Sequence, residues 1–253
     1  MITENAKKYV EKMGIQEPIE ESDPEFIERF YNFAYDEVVN EKGQELPEET
    51  RFMCILAVLL GCQGINLFEE MVEASLNIGV SEIKIREIVY QGVDYLGYGR
   101  VKPFIPCMNE VFKKKGIELP LPPQATNTME TRYETGEQKQ IDLFGPHMKG
   151  FGQSGPEESR HINQFLVKNC FGDYYTRNGL NDAERELMTF CYLYAQGGCE
   201  PQLKSHTMAN LGLGNDKAFL IKVISTCIPF IGYPRTLNAL RIINEAYEET
   251  QKN

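Results

Sequence analysis

Apolar residues recur along most of the chain at three- and four-residue spacing, the period of an amphipathic α-helix. This pattern predicts ten helices, and no alternating strand pattern competes with them. Asn181 and Glu184 have the spacing of a capping box, while Ser81 and Asn215 each precede an apolar run. The chain is therefore predicted to be all-α. The predicted helices are 24–41, 47–60, 65–77, 82–96, 101–115, 157–170, 182–195, 200–211, 216–228 and 235–249.

The second half of the chain repeats residues of the first half. A shift of 134 positions pairs Leu46 with Leu180 and Arg51 with Arg185, and one extra residue is needed further along. Several of the later pairs are glycines, which indicates a shared chain path because glycine marks backbone positions that strain other residues. The pattern predicts two copies of one helical unit, at 1–116 and 156–253. The pairs at a shift of 135 are Ala74/Ala209, Leu76/Leu211, Gly79/Gly214, Gly97/Gly232, Tyr98/Tyr233, Arg100/Arg235, Asn109/Asn244 and Glu110/Glu245.

Residues 117–155 separate the two copies and are interpreted as a linker. Prolines at 120, 122 and 123 open the segment, and a polar tract continues through Gln140. Glycines alternate with apolar residues over 143–152, which predicts an ordered loop that packs across a neighbouring subunit. A disordered tether is the alternative interpretation.

Charge and composition narrow the classes of partner. Of the 253 residues 42% are hydrophobic and 25% are charged, as in globular domains. The net charge of −11 argues against binding to nucleic acids or to anionic membranes. The first residues lack the apolar core of a signal peptide, and the longest apolar run, 52–60, is too short to span a bilayer. We therefore expect a cytoplasmic protein.

The seven cysteines include no Cys-x-x-Cys pair, so neither a disulfide framework nor a zinc ribbon is predicted. Cys54 and Cys227 lie among aliphatic residues and are interpreted as small buried hydrophobes. A metal site is not expected, because Cys199 and His206 are too few ligands and Glu186 would complete a spacing unlike zinc motifs. His147 and His161 are interpreted as structural.

Cys199 stands out because it follows Gly197 and Gly198 and precedes Pro201, a residue favoured in the first turn of a helix. A helix N-terminus stabilises a thiolate, so Cys199 is a candidate nucleophile. His206 lies two turns further along the same face, and Glu186 projects from the preceding helix. We expect the thiol, the imidazole and the carboxylate to converge.

These residues resemble the carboxymuconolactone decarboxylase family, which includes the alkylhydroperoxidase D-like proteins. The resemblance rests on 185–187, the spacing from Cys199 to His206, 210–214 and 232–240. It covers about 180–247 well and 46–112 more weakly, so the chain resembles a tandem fusion of two family units. It implies an all-α fold of two alkylhydroperoxidase D-like units that form a homo-oligomer, with a trimer of fused chains favoured.

The resemblance also implies roles for individual residues. The redox branch of the family uses Cys-x-x-Cys-x-x-x-His with an upstream glutamate, which carries over to Cys199, His206 and Glu186. Gln202 replaces the second cysteine, so an oxidised Cys199 would need an external thiol reductant. The decarboxylase branch acts without a cofactor and requires cations and a proton donor. The residues of suitable type for binding or protonating its substrate are Arg235, Arg185, His206 and Tyr233, and Gln202 is a further binding candidate.

The first copy lacks the candidate groups. The same shifts place Phe52 opposite Glu186, Gly64 opposite Cys199 and Met71 opposite His206. We interpret this copy as a scaffold whose Tyr98 and Arg100 could line a shared pocket.

The sequence is compatible with three functions, and none of them requires a cofactor. The first is a peroxiredoxin-like oxidoreductase in which Cys199 attacks a peroxide while Glu186 and His206 relay the proton. The second is a decarboxylase or related lyase that acts on a small carboxylated lactone or acid. The third is a non-catalytic oligomer that binds a small molecule or a protein partner.

Overall fold

The computed structural model describes residues 1–15 and 18–252. Helices and their connections make up this part of the chain, and no strand occurs in it. The prediction of an all-α protein is therefore confirmed. No helix in the two described ranges has the length and apolar character needed to cross a membrane.

The helices of the first half begin with α1 and end before the proline-rich segment. A π-helical segment, Phe33–Glu37, joins α2 to α3 and widens this helix by one residue per turn. The helices are α1 (Glu4–Met13), α2 (Pro24–Asn32), α3 (Val38–Asn40), α4 (Glu48–Cys62), α5 (Ile65–Ile78), α6 (Glu82–Leu96), α7 (Tyr98–Val101) and α8 (Phe104–Lys114).

The helices of the second half have a similar order. A longer π-helical segment, Leu166–Tyr175, continues α10. Short 3₁₀ turns at Pro146–Met148 and Phe151–Gln153 connect α9 to α10. The helices are α9 (Arg132–Phe144), α10 (Arg160–Phe165), α11 (Asp182–Gln196), α12 (Glu200–Gly212), α13 (Lys217–Thr226), α14 (Ile228–Ile231) and α15 (Tyr233–Thr250).

Corresponding helices of the two halves begin at positions related by the shifts found in the sequence. Thus α4 corresponds to α11 and α5 to α12, and each half has a π-helical segment before this pair. Helix α1 packs on the first π-helical segment as α9 packs on the second. The division of the chain into two repeats and a linker stays a prediction.

Helix α9 (Arg132–Phe144) lies within the segment 117–155 that is interpreted as a linker, where the sequence pattern predicts no helix. Its buried residues are Gly136, Gln140 and Leu143. Because glycine and glutamine occupy two of these buried positions, the hydrophobic periodicity of the helix is weak. Helix α1 was also missed, since its buried residues are Ala6 and Met13 alone among its ten.

The core runs through α4 and α11, which pack against each other across the two halves. Both helices are buried along most of their length, and Gly61 allows the contact because an added Cβ would overlap Ala195. Cys54, Cys191 and Cys227 are buried and free, as expected of cysteines that act as small hydrophobes. This packing fixes the position of α11, which carries Glu186.

Candidate functional site

Glu186 and His206 form a buried pair between α11 and α12. The Glu186 Oε2 atom lies 2.7 Å from His206 Nδ1. The Asn210 side chain donates to the main-chain oxygens of Glu186 (2.9 Å) and His206 (2.8 Å), which ties the two helices together at this point. A carboxylate on one ring nitrogen fixes the tautomer and orientation of an imidazole. His206 Nε2 is therefore the nitrogen left for a ligand.

Local sequence determines how α11 and α12 bring these residues together. The predicted capping box of Asn181 and Glu184 begins α11. The helix ends at Gln196, and its C-cap residue, Gly197, has a φ of 65° that favours glycine. Pro201 lies in the first turn of α12, and Cys199 is its N-cap residue. The short connection folds α12 back along α11, so Glu186 and His206 face each other.

A cavity of about 480 Å³ opens beside His206, and we call it the His206 cavity. Residues from both halves line it, because Asp94 and Tyr95 come from α6 of the first half. The rings of Tyr95 and Phe144 each pack edge-on against the imidazole, with centroids 5.4 Å away. The lining residues are Asp94, Tyr95, Gln140, Phe144, His147, Met148, Leu166, Cys170, Phe171, Leu193, Gln196, Cys199, Gln202, Ser205 and His206.

Cys199 lines the same cavity, but no hydrogen bond joins it to His206 in the part of the chain described. Its thiol donates to the main-chain oxygen of Leu193 at 3.4 Å and receives a long contact of 3.7 Å from the Gln196 amide. Burial raises the pKa of this thiol, and Glu200 adds to the increase, although Gln196 and Arg235 oppose it. The expected stabilisation of a thiolate is therefore not supported, because desolvation outweighs the contacts of Gln196 and Arg235.

Gln202 and Arg235 lie on different sides of Cys199. Gln202 lines the His206 cavity, as expected for a substrate-binding candidate. The Arg235 guanidinium packs on the backbone of Gly197 and borders a much smaller pocket with Cys199 and Asn238. Arg235 is therefore not among the residues that line the His206 cavity.

Arg185 and Tyr233, two further substrate-binding candidates, lie away from the cavity. Arg185 is completely buried, and its guanidinium donates to Gln91 Oε1 at 2.8 Å and to the main-chain oxygen of Arg177 at 2.7 Å. It supports the packing of α6 on α11. Tyr233 is 57% exposed and packs near Phe33 at a different groove. Neither residue lines the His206 cavity, because the sequence does not show which way these side chains point.

The first half contributes to the cavity through residues other than the expected ones. Tyr98 is 57% exposed, and Arg100 acts indirectly by donating to Gln196 Oε1 at 3.1 Å. Asp94 and Tyr95, one turn earlier, line the cavity instead. His147 was interpreted as structural, yet it also lines the cavity. No spacing in the sequence links these residues to His206, so pattern analysis could not find them.

Asp94 is a partly buried carboxyl group whose Oδ2 has no hydrogen-bond partner in the described residues. Burial raises its pKa to about 8, nearby Asp173 adds to the increase, and a hydrogen bond with Cys170 opposes it. Asp94 is therefore mostly protonated at neutral pH and can donate a hydrogen bond.

Comparisons with known proteins agree with this fold and this pair of helices. Residues 161–245 match the model of the carboxymuconolactone decarboxylase family. The 4-carboxymuconolactone decarboxylase of Acinetobacter baylyi is 25% identical over 121 residues, which are 47% of this chain and 90% of that protein.

A crystal structure from Burkholderia xenovorans LB400, described as a gamma-carboxymuconolactone decarboxylase subunit, matches with a TM-score of 0.56 and 18% identity. The match covers 97% of this chain and 96% of that one, and it shows the shared fold over nearly the full length. The two proteins thus share one all-helical fold. Within residues 161–245 the chain is similar to the carboxymuconolactone decarboxylase family.

Proposed function

We propose that this protein is a cofactor-independent enzyme that transfers a proton to or from a carbon atom of a small organic substrate bound in the His206 cavity. The observation that carries the proposal is the 2.7 Å contact between Glu186 Oε2 and His206 Nδ1 at the wall of that cavity. A histidine held by a buried carboxylate is a common arrangement for general acid and base catalysis. The name of the Acinetobacter relative agrees with this class of reaction.

In this proposal His206 is the catalytic residue and Glu186 is a positioning residue. Glu186 keeps Nδ1 occupied, so Nε2 exchanges the proton with the substrate. In a decarboxylation the bond to the carboxyl carbon breaks and carbon dioxide leaves. The electron pair remains on the substrate carbon, and the proton on Nε2 forms the new C–H bond. The aromatic rings of Tyr95 and Phe144 limit the access of water to this step.

The lining of the cavity bears on which acids could bind. None of the lining residues is a lysine or an arginine, and Arg185 and Tyr233 lie elsewhere. His206 and His147 are the lining residues that can carry a positive charge. We therefore propose a substrate with one carboxylate, which a protonated histidine can bind, among the small carboxylated lactones and keto acids.

A panel of such lactones and keto acids, assayed for carbon dioxide release and for new products, tests the proposal. General acid–base groups contribute roughly 10²- to 10⁴-fold, so we expect His206→Gln to lose at least about 100-fold in kcat. Glu186→Gln should lose less, because the imidazole remains. Cys199→Ser should stay near the wild type. An active His206→Gln enzyme, or an inactive Cys199→Ser enzyme, would contradict the proposal.

A thiol-dependent peroxidase is the second candidate, because Cys199 and His206 line the same cavity. In that reaction His206 takes the thiol proton, the sulfur attacks one peroxide oxygen, the O–O bond breaks, and the leaving oxygen takes that proton from His206. Cys199 becomes a sulfenic acid, which two equivalents of an external thiol reduce to the thiol. Dimedone trapping at Cys199 after peroxide treatment, with Cys62 as the exposed comparison thiol, tests this candidate. Preferential labelling of Cys199 would favour it.

A further inference from the structure

Gln140 presents an unpartnered amide to the His206 cavity. The side chain is completely buried, and neither its nitrogen nor its oxygen has a hydrogen-bond partner in the described residues. Gln140 nevertheless lines the cavity, and its two polar atoms can pair with a bound molecule once the side chain turns toward it. A buried polar group without a partner destabilises a protein unless something satisfies it. The geometry therefore points to a ligand group at Gln140.

Two glycines hold Gln140 in this position. Helix α9 crosses the second π-helical segment at Gly136 and Gly172, where an added Cβ would overlap the main-chain oxygens of Val167 and Arg132 respectively. Gln140 and Phe144 follow Gly136 at four-residue spacing, so the three share one face of α9. Phe144 packs against His206 from this face. The close crossing thus brings both Gln140 and Phe144 to the cavity.

Asp94 supplies a second polar group to the same cavity. Its Oδ2 atom, like both side-chain atoms of Gln140, lacks a partner in the described part of the chain. The protonated carboxyl group and the Gln140 amide nitrogen are donors, and the Gln140 oxygen is an acceptor. Together they match an uncharged group that both accepts and donates, such as a carboxamide or a hydroxyl beside a carbonyl.

We propose that Asp94 and Gln140 form a second subsite, which binds an uncharged carbonyl-containing group of the substrate and rejects a second carboxylate. This inference rests on the proposed function only in taking the His206 cavity as the substrate site. A carboxylate at the subsite would meet no lysine or arginine among the lining residues. The carboxylate would also lose its hydration there without gaining an ion pair to a lysine or an arginine, whereas an uncharged carbonyl group has no charge to desolvate.

Binding of two neutral probes of similar size, benzamide and toluene, tests the subsite. Benzamide carries the donor and acceptor that toluene lacks. We expect wild-type protein to bind benzamide about three- to tenfold more tightly than toluene, as one or two hydrogen bonds to neutral groups provide. In Gln140→Leu this preference should fall to near one. Calorimetric titration or ligand-observed NMR measures both affinities.

The matched control is Gln138→Leu, which makes the same change at an exposed position of α9 and should leave the preference unchanged. Circular dichroism checks that both variants are folded. The same titration with His206→Gln separates this proposal from the proposed function, since that variant should keep the preference while losing turnover. An unchanged preference in folded Gln140→Leu, or no preference in the wild type, would overturn the subsite.

The protonation of Asp94 gives an independent test. Its surroundings are Tyr95 on α6, Cys170, Asp173 and Tyr174 on the second π-helical segment, and the two cavity histidines. Benzamide does not titrate, so its preference should decline as the pH rises through about 8 and Asp94 loses its proton. Asp94→Asn keeps a donor at every pH and should remove this decline. An identical decline in Asp94→Asn would overturn the role of Asp94.

Discussion

The two halves of the chain differ most where their α4–α5 and α11–α12 helix pairs correspond. In the second half Glu186 and His206 form a buried polar pair beside a cavity. At the corresponding positions of the first half, Phe52 and Met71 are buried apolar side chains. Similar helix bounds therefore surround an ionisable pair in one half and an apolar core in the other.

Aromatic residues of the first half pack against one another in a cluster. Phe30 packs against Tyr35 with ring centroids 5.9 Å apart, and Tyr35 stacks on Tyr9 at 6.0 Å. Phe230, the counterpart of Tyr95 at the shift of 135, joins this cluster through Phe30. Aromatic contacts thus cross between the halves in both directions. The two halves thus share the arrangement of their helices, whereas the ionisable pair depends on a few residues that differ between them.

The largest expected effect on stability comes from placing the first half's methionine at position 206 of the second half. His206→Met alone leaves the buried Glu186 carboxylate unpartnered and should lower the free energy of unfolding by about 4 kcal/mol. Glu186→Phe in addition removes that carboxylate, so the double variant should recover most of the loss. Urea unfolding measures both, with Ser205→Ala on α12 as a control. A double variant that is no more stable than His206→Met would contradict this account of the two halves.

A smaller loss of stability is expected from a substitution at the crossing of α9 and the second π-helical segment. Gly136→Ala forces these backbones apart, because the new Cβ overlaps the Val167 oxygen, and should lower the free energy of unfolding by about 3 kcal/mol. Gly99→Ala is the control, since nothing lies within 4 Å of its Cβ position. Thermal unfolding compares the two variants. Equal melting temperatures would show that the crossing does not need glycine.

The smallest expected effect on stability is a gain, and it comes from replacing Gln140. Gln140→Leu removes an unpartnered buried amide and should raise the free energy of unfolding by about 1 kcal/mol in the absence of ligand. Gln138→Leu should change it little, because that side chain is exposed. A stability gain together with weaker benzamide binding would mean that Gln140 is kept for a ligand. A clear loss of stability would indicate that Gln140 has a structural partner.

Sequence patterns predicted most of the helices because their buried faces are apolar and periodic. They also predicted that Glu186 and His206 would meet, since a capping box and a Gly-Gly-x-x-Pro turn define the α11–α12 hairpin. The patterns missed α9, whose buried face carries glycine and glutamine. They also missed Asp94 and Tyr95, which reach the cavity through tertiary packing of α6. The raised pKa of Cys199 likewise depends on burial that the local motif does not specify.

Isotope incorporation during turnover tests the proposed proton transfer most directly. With a substrate from the lactone and keto-acid panel, reaction in deuterium oxide should place one deuterium on the product carbon that lost the carboxylate. Mass spectrometry would then show a product one mass unit heavier, formed slowly in His206→Gln and at the normal rate in Cys199→Ser. A product without carbon-bound deuterium would contradict the account.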